Sequence, residues 1–195
     1  MLFKKAADVP KEISDSHITE WYSSLSDQDK VKLKRYLKGA GTSAYAVLSS
    51  VADAAIADEN YQFAASVCEE CLRHKLTDME KFSVTESLIE SYVQTKRYDE
   101  AKDQCERNLR LFPSVKDIIR ARNNGSLPEK LNCRNRYVDV VVGIESGYDE
   151  AFRLLDRFFE MGLINEEELA YRKQSLKIRR LQRSFDGVFT YTYKD

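Results

Sequence analysis

Three residues in this chain of 195 have the chemical types and spacing of a metal site: Cys68, Cys71 and His74, which read C-x-x-C-x-x-H. Two thiolates and an imidazole at that spacing can share a tetrahedral zinc ion, and Cys105 occupies the matching position 37 residues further along. The same positions fall on the inward stripe of a helix, where free cysteine acts as a small buried hydrophobe. A reactive C-x-x-C belongs at a helix N-terminus rather than mid-helix. Core packing is therefore the expected role, with no bound metal and no cofactor. The two histidines, His17 and His74, lie on different helices, and no G-x-S-x-G, H-E-x-x-H, P-loop or G-x-G-x-x-G occurs. Glu166, Glu167 and Glu168 could act as paired carboxylates, but acids in a helix's first turn complement its dipole. Enzymatic activity is not expected.

The elements that position these residues are read best between Lys81 and Pro113. Phe82, Thr85, Leu88, Ile89 and Tyr92 draw one stripe at helical spacing, and Lys96 and Arg97 break it. Tyr98, Ala101, Cys105, Leu109 and Phe112 draw a second, which Pro113 is expected to end. A lone hairpin cannot bury its apolar face, so copies should flank it. Tyr61, Ala64, Cys68 and Cys71 repeat Tyr98, Ala101, Cys105 and Asn108 at an offset of 37, after a helix carrying Leu48, Val51, Ala52 and Ala55. A third copy, Tyr148, Ala151, Leu155 and Phe158 with Val138, Val141 and Val142 before it, lies 50 residues beyond the second. An insertion at about 114–133 separates them: Ser114 should cap a short helix through Arg122, and Asn123 to Pro128 should form a loop.

The order Leu88, Tyr92, Tyr98, Ala101 and Pro113 resembles the tetratricopeptide repeat, with Lys96 where that family has a turn glycine. The resemblance covers residues 44 to 163. It implies an all-α fold, a short α-α superhelix, and a function in protein binding or scaffolding. The stretch Leu154 to Lys177 also resembles the short C-terminal helical hairpin, SHOCT-like, found at the ends of bacterial and archaeal proteins. Gly162 would end one helix, Ile164 would act as a staple, Asn165 and Glu168 would form a capping box, and Leu169, Leu176 and the Lys173 stem would pack back. That resemblance implies oligomerisation or docking.

Composition sets the bounds: 43% hydrophobic, 32% charged, net charge -1, with 7 Gly and 3 Pro. Helix should dominate, and nothing global draws the chain to nucleic acid or membrane. Residues 1–10 carry no apolar signal core and no run suits a membrane span, so a cytoplasmic protein with reduced cysteines is expected. Residues 1–42 read as a frayed tail to Ser14 and an N-terminal helical cap. Asp15 or Ser16 would cap the first helix through Trp21 and Tyr22, and Ser26 with Asp29 would start a second ending at Gly39. Thr42 or Ser43 would cap a helix reaching Asp58. The repeats occupy 43–163, and 164–195 form a C-terminal basic helix and a terminal extended aromatic tail. In that tail Phe189, Tyr191 and Tyr193 alternate with Val188, Thr190 and Thr192.

By resemblance, the peptide groove would be lined by Ser49, Asp53, Ile56, Glu86, Glu90, Val93, Gln94, Arg136 and Val140. Ser, Asp and Glu stand where the family's carboxylate clamp has Lys and Asn, so a basic or apolar peptide is the expected ligand. The nearest basic segment is the chain's own Arg172 to Arg183, which would fill the groove in cis or build a homo-oligomer in trans. The alternative is single-stranded nucleic acid held by Arg120, Arg122, Lys130, Arg134, Arg179, Arg180 and Arg183, with Tyr191 and Tyr193 stacking on bases. Between Arg110 and Arg136 seven bases face only Asp117 and Glu129.

Overall fold

The computed structural model describes residues 9–37, 41–145 and 147–191. Among these the chain is all-α: ten helices and no strand. In order they are α1 (Lys11–Asp15), α2 (Thr19–Ser24), α3 (Asp27–Tyr36), α4 (Ala44–Ala57), α5 (Tyr61–Cys71), α6 (Asp78–Gln94), α7 (Tyr98–Arg122), α8 (Asn132–Glu145), α9 (Tyr148–Glu160) and α10 (Glu166–Tyr191). None is long and apolar enough to cross a membrane.

Helices α4/α5, α6/α7 and α8/α9 are three successive hairpins. The first helices α4, α6 and α8 touch in succession, and each second helix packs between its own first helix and the next one: α5 against α4 and α6, α7 against α6 and α8. Close approach is possible because Ala64, Ala101 and Ala151 are fully buried at the matching positions of the second helices. Two cores result. One runs from α1 to the start of α7 around Leu33, Leu48, Val51 and Phe63. The other spans α6 to α10 around Phe82, Phe112, Val141, Phe158 and Leu176. Val93 borders both.

Five helix ends close with one backbone device. His17, Glu59, Lys96, Asn124 and Gly162 have φ of 59°, 58°, 61°, 52° and 70°. After each, the next N–H donates to a carbonyl five residues back, as from Asn60 to Ala55 and from Arg97 to Tyr92, both at 2.8 Å. This left-handed closure satisfies carbonyls that a helix C-terminus leaves free. Glu59 and Lys96 are equivalent positions of the first two hairpins. The turn glycine missing from the sequence is missing only chemically, because Lys96 adopts the glycine conformation.

N-terminal caps form at Ser26, Ser43 and Thr77, each accepting the N–H three residues on, and Thr77 with Glu80 completes a capping box. The N-terminal reading needs correction. Lys11–Asp15 is helical rather than frayed, because Ile13 is fully buried in the first core. Neither Asp15 nor Ser16 caps α2, which starts at Thr19; the Ser16 hydroxyl instead donates to the Glu12 carbonyl at 2.6 Å. Helix α3 ends at Tyr36, and Gly39 lies outside the described residues.

Pro113 does not end its helix. α7 continues through it to Arg122, so Ser114 caps nothing and donates to the Leu111 carbonyl and to Asp78. An interior proline costs roughly 3 kcal/mol. Phe112, Val115 and Ile119 are buried on both sides of it, at about 1.5–3 kcal/mol for each large apolar side chain, so continuation wins. The irregular stretch shrinks to residues 123–131, where Asn123 and Ser126 bond to each other.

The expected extended tail is also corrected. Gly187 to Tyr191 belong to α10, while Thr192 and Tyr193 lie outside the described residues. A lone strand would leave its backbone groups unpaired, whereas a continuing helix satisfies them internally. At the start of α10, Asn165 accepts the Glu168 N–H at 2.8 Å, but the Glu168 carboxylate turns to Arg172 rather than completing a capping box. Gly162 and buried Ile164 take the expected places, and the Lys116 ammonium donates to the Met161 carbonyl beside Gly162.

Candidate functional site

Two series of acids hold the hairpins in register. On the first helices Asp53, Glu90 and Asp139 follow at offsets of 37 and 49. Each meets a donor on the next helix of the row: Ser87 donates to Asp53 at 3.1 Å, Arg136 grips Glu90 with two bonds of 2.7 and 2.8 Å, and Arg179 lies 3.8 Å from Asp139. On the second helices Glu69, Glu106 and Asp156 follow at offsets of 37 and 50. Glu69 accepts from Tyr92 and Arg97, Glu106 from Tyr137 and Arg157, and Asp156 from Lys173. The Arg97 guanidinium also lies 4.1 Å from the Tyr92 ring centre, a cation–π contact. Burial alone would raise the Glu90 and Glu106 carboxyls. The hydrogen bonds and charges of Arg136 and Arg157, with Gln94 and Tyr137, outweigh it and hold both below the usual range.

A cleft of about 780 Å³ lies along the first helices and is closed by the segment before α8. Of the groove residues expected from sequence, Asp53, Ile56, Glu86, Glu90 and Arg136 line it. Ser49 lies in an adjoining pocket of about 80 Å³ that shares Asp53. Val93 packs between the two cores, Gln94 donates to Glu90 at 2.8 Å, and Val140 is buried. Met79, Ser83, Lys130, Asn135 and Asp139 also line the cleft. Of these the sequence singled out only Lys130, as a base for nucleic acid; the segment 128–131 that brings it to the cleft has no counterpart in the first two hairpins.

Glu86 does not present a free charge to that cleft. Its carboxylate accepts the backbone N–H of Asn132, the N–H of Cys133 at 3.0 Å and the Asn108 side-chain amide at 2.9 Å. These backbone donors are the first of α8, which a helix leaves unpaired, so Glu86 caps α8 from another helix. Burial raises the Glu86 carboxyl above the usual range while those donors pull it down. Glu90 is likewise occupied by Arg136 and Gln94. Asp53 keeps only the Ser87 hydroxyl as its described partner, and desolvation raises its carboxyl.

The cysteine pattern separates on folding. Cys68 and Cys71 are buried in the first core, His74 lies past the end of α5 with its Nε2 3.3 Å from Glu70, and Cys105 is buried in the second core. Burial pushes the Cys71 thiol up to about 12 and Cys68 further. Among the described residues no three metal-binding side chains come together. What the sequence did not signal is a pairing across hairpins: Cys105 and Cys133 both sit near Glu86, and both thiols are pushed up by burial and by that carboxylate.

Of the seven bases expected to share one anion-binding face, Arg134 and Arg179 line one pocket of about 600 Å³ between α8 and α10. Arg134 is 4% exposed and donates to the Leu163, Pro128 and Glu129 carbonyls. Arg179 and Arg180 meet Asp139 and Asp149, and Arg183 donates to the Val142 carbonyl. Arg122 and Lys130 are exposed and Arg120 half-buried on and after α7. The Arg172 to Arg183 segment thus lies on α8 and α9, outside the cleft. No family model, curated protein or solved structure matches the chain.

Proposed function

We propose that this chain is a tetratricopeptide-like scaffold without catalytic chemistry of its own. It holds an extended peptide of another molecule in the cleft along α4, α6 and α8. One observation carries this reading: Asp53 stands in that cleft with no described base beside it, next to half-buried Ile56 and Met79. An acid with an apolar shelf favours a Lys or Arg close to a bulky apolar side chain, because charge complementarity selects and apolar burial supplies affinity. Lys130 at the opposite wall sets the direction of the peptide by meeting an acid or a terminal carboxylate. Four free, buried cysteines suit a reducing compartment, so we assign the protein to the cytoplasm.

The test is selection of a displayed random peptide library on the immobilised chain, followed by calorimetry on the enriched peptides. The expected enrichment pairs a basic with an apolar residue, and Asp53→Lys should shift selection toward acidic peptides. Binding that survives both Asp53→Lys and Ile56→Glu, or the absence of any enrichment, would overturn the reading.

A further inference from the structure

We propose that the outward face of α10 is a self-association surface, which takes α10 of a second copy of this chain, antiparallel, along the stripe of Tyr171, Ile178 and Leu181. α10 stands where the first helix of a fourth hairpin would stand. α9 touches both α8 and α10, as α7 touches both α6 and α8, and α10 supplies the donors for the last acid of each series, Arg179 to Asp139 and Lys173 to Asp156. Setting Ser87, Arg136 and Arg179 as equivalent donors makes Ile178 and Leu181 the counterparts of Glu86 and Ile89 on α6. Those two turn toward α7: Ile89 is fully buried in the core that holds Cys105 and Leu109, and Glu86 receives Asn108. On α10 no second helix follows among the described residues, and Ile178 and Leu181 are 49% and 59% exposed, with Tyr171 at 71%.

The charge pattern selects the occupant. Amphipathic helices normally bury the apolar face and expose the charged one, but α10 turns Lys173, Arg179, Arg180 and Arg183 onto acids or carbonyls of α8 and α9. A membrane or an acidic partner would have to draw those bases out of these pairs. An identical apolar stripe fits there, with the exposed Lys177 at its edge. Tyr171, Ile178 and Leu181 are spaced by seven and three, the seam spacing of paired helices. First and second helices run antiparallel within each hairpin, so an antiparallel partner lets each α10 complete the other's fourth hairpin across a closed two-fold axis. Length argues the same way. α10 has 26 residues against 13 in α9, and the pair Arg180 to Asp149 sets the start of α9 beside the middle of α10. The remaining turns would be marginal as an isolated helix.

The exposed stripe of α10 is separate from the peptide cleft. Sedimentation velocity across a wide concentration range should show a dimer, and Ile178→Glu with Leu181→Glu should give a monomer of unchanged circular dichroism and melting temperature. If the glutamates impair folding, Ile178→Ser with Leu181→Ser should still weaken the dimer. Because all four native thiols are buried, an Ile178→Cys chain oxidised with a tagged Leu181→Cys chain should give the mixed cross-link in preference to like pairs. The proposal is overturned by a wild-type monomer at every concentration, a dimer unmoved by either pair, preferred like-with-like cross-links, or flotation on phosphatidylglycerol vesicles that these substitutions abolish. Asp53→Lys should leave the dimer intact, which separates this result from failure of the cleft reading.

Discussion

Replacing Glu86 by alanine tests whether this carboxylate serves the fold or a ligand. Its oxygens take two unpaired donors at the start of α8 and the Asn108 amide, whose residue is fully buried. Loss of a helix cap costs about 1 kcal/mol, and leaving buried donors unpaired, among them the Asn108 amide N–H that does not go to the Phe82 carbonyl, costs about 1–3 kcal/mol. The sum is about 3 kcal/mol, which for a chain of this size lowers Tm by about 6–12 °C. Glu86→Gln keeps one acceptor oxygen and should fall between the two. Urea denaturation followed by circular dichroism gives the stability, and hydrogen exchange gives the protection of the Asn132 and Cys133 amides. A loss below about 1 kcal/mol, or amides as protected as before, would refute the capping role and return Glu86 to the list of available ligand-facing acids.

Lys96→Gly and Glu59→Gly should each stabilise the protein by up to about 1 kcal/mol, seen as a Tm rise of about 2–4 °C, because both exposed residues hold a left-handed backbone that glycine adopts freely. A fall in Tm would mean that the lysine or glutamate side chain contributes more than the backbone strain costs. Pro113→Ala should raise stability by about 1–3 kcal/mol, since it restores an N–H inside α7 at an exposed position; no change on thermal melting would contradict the cost assigned to that proline. The lowered carboxyls of Glu90 and Glu106 mean that the unfolded chain takes up protons first as pH falls. Their stabilisation is present above the ordinary value of 4.5 and is lost as pH drops through their folded values. Urea midpoints measured below that pH should decline less steeply for Glu90→Gln with Glu106→Gln, and an unchanged slope would remove these two groups as the cause.

Periodicity was enough to read the hairpins. Ala64, Ala101 and Ala151 are the small residues a second helix needs, and the stripe from Phe82 to Tyr92 marks its own buried face, because the helical repeat converts spacing into sides. The site was only partly legible. Asp53, Ile56, Glu90 and Arg136 could be assigned to one wall by equivalence between repeats. Whether their charges stay available could not, since that depends on partners 34 to 46 residues away in sequence. Sequence spacing also overstated local signals: Pro113 looked like a stop and Gly187 to Tyr193 like a strand, because neither reading weighs the burial of Phe112 and Val115 or the absence of a pairing strand.

The order of amino acids thus determined by itself the paired helices of the hairpins and their buried sides, since these follow from backbone geometry over one or two turns. Only the tertiary structure decided that Glu86 is used to cap α8, that Cys68 and Cys105 belong to separate cores, and that α10 pairs Lys173, Arg179, Arg180 and Arg183 with α8 and α9 while Ile178 and Leu181 stay exposed. Those outcomes are set by which helix lies beside which, and by competition among distant donors and acceptors for the same buried space.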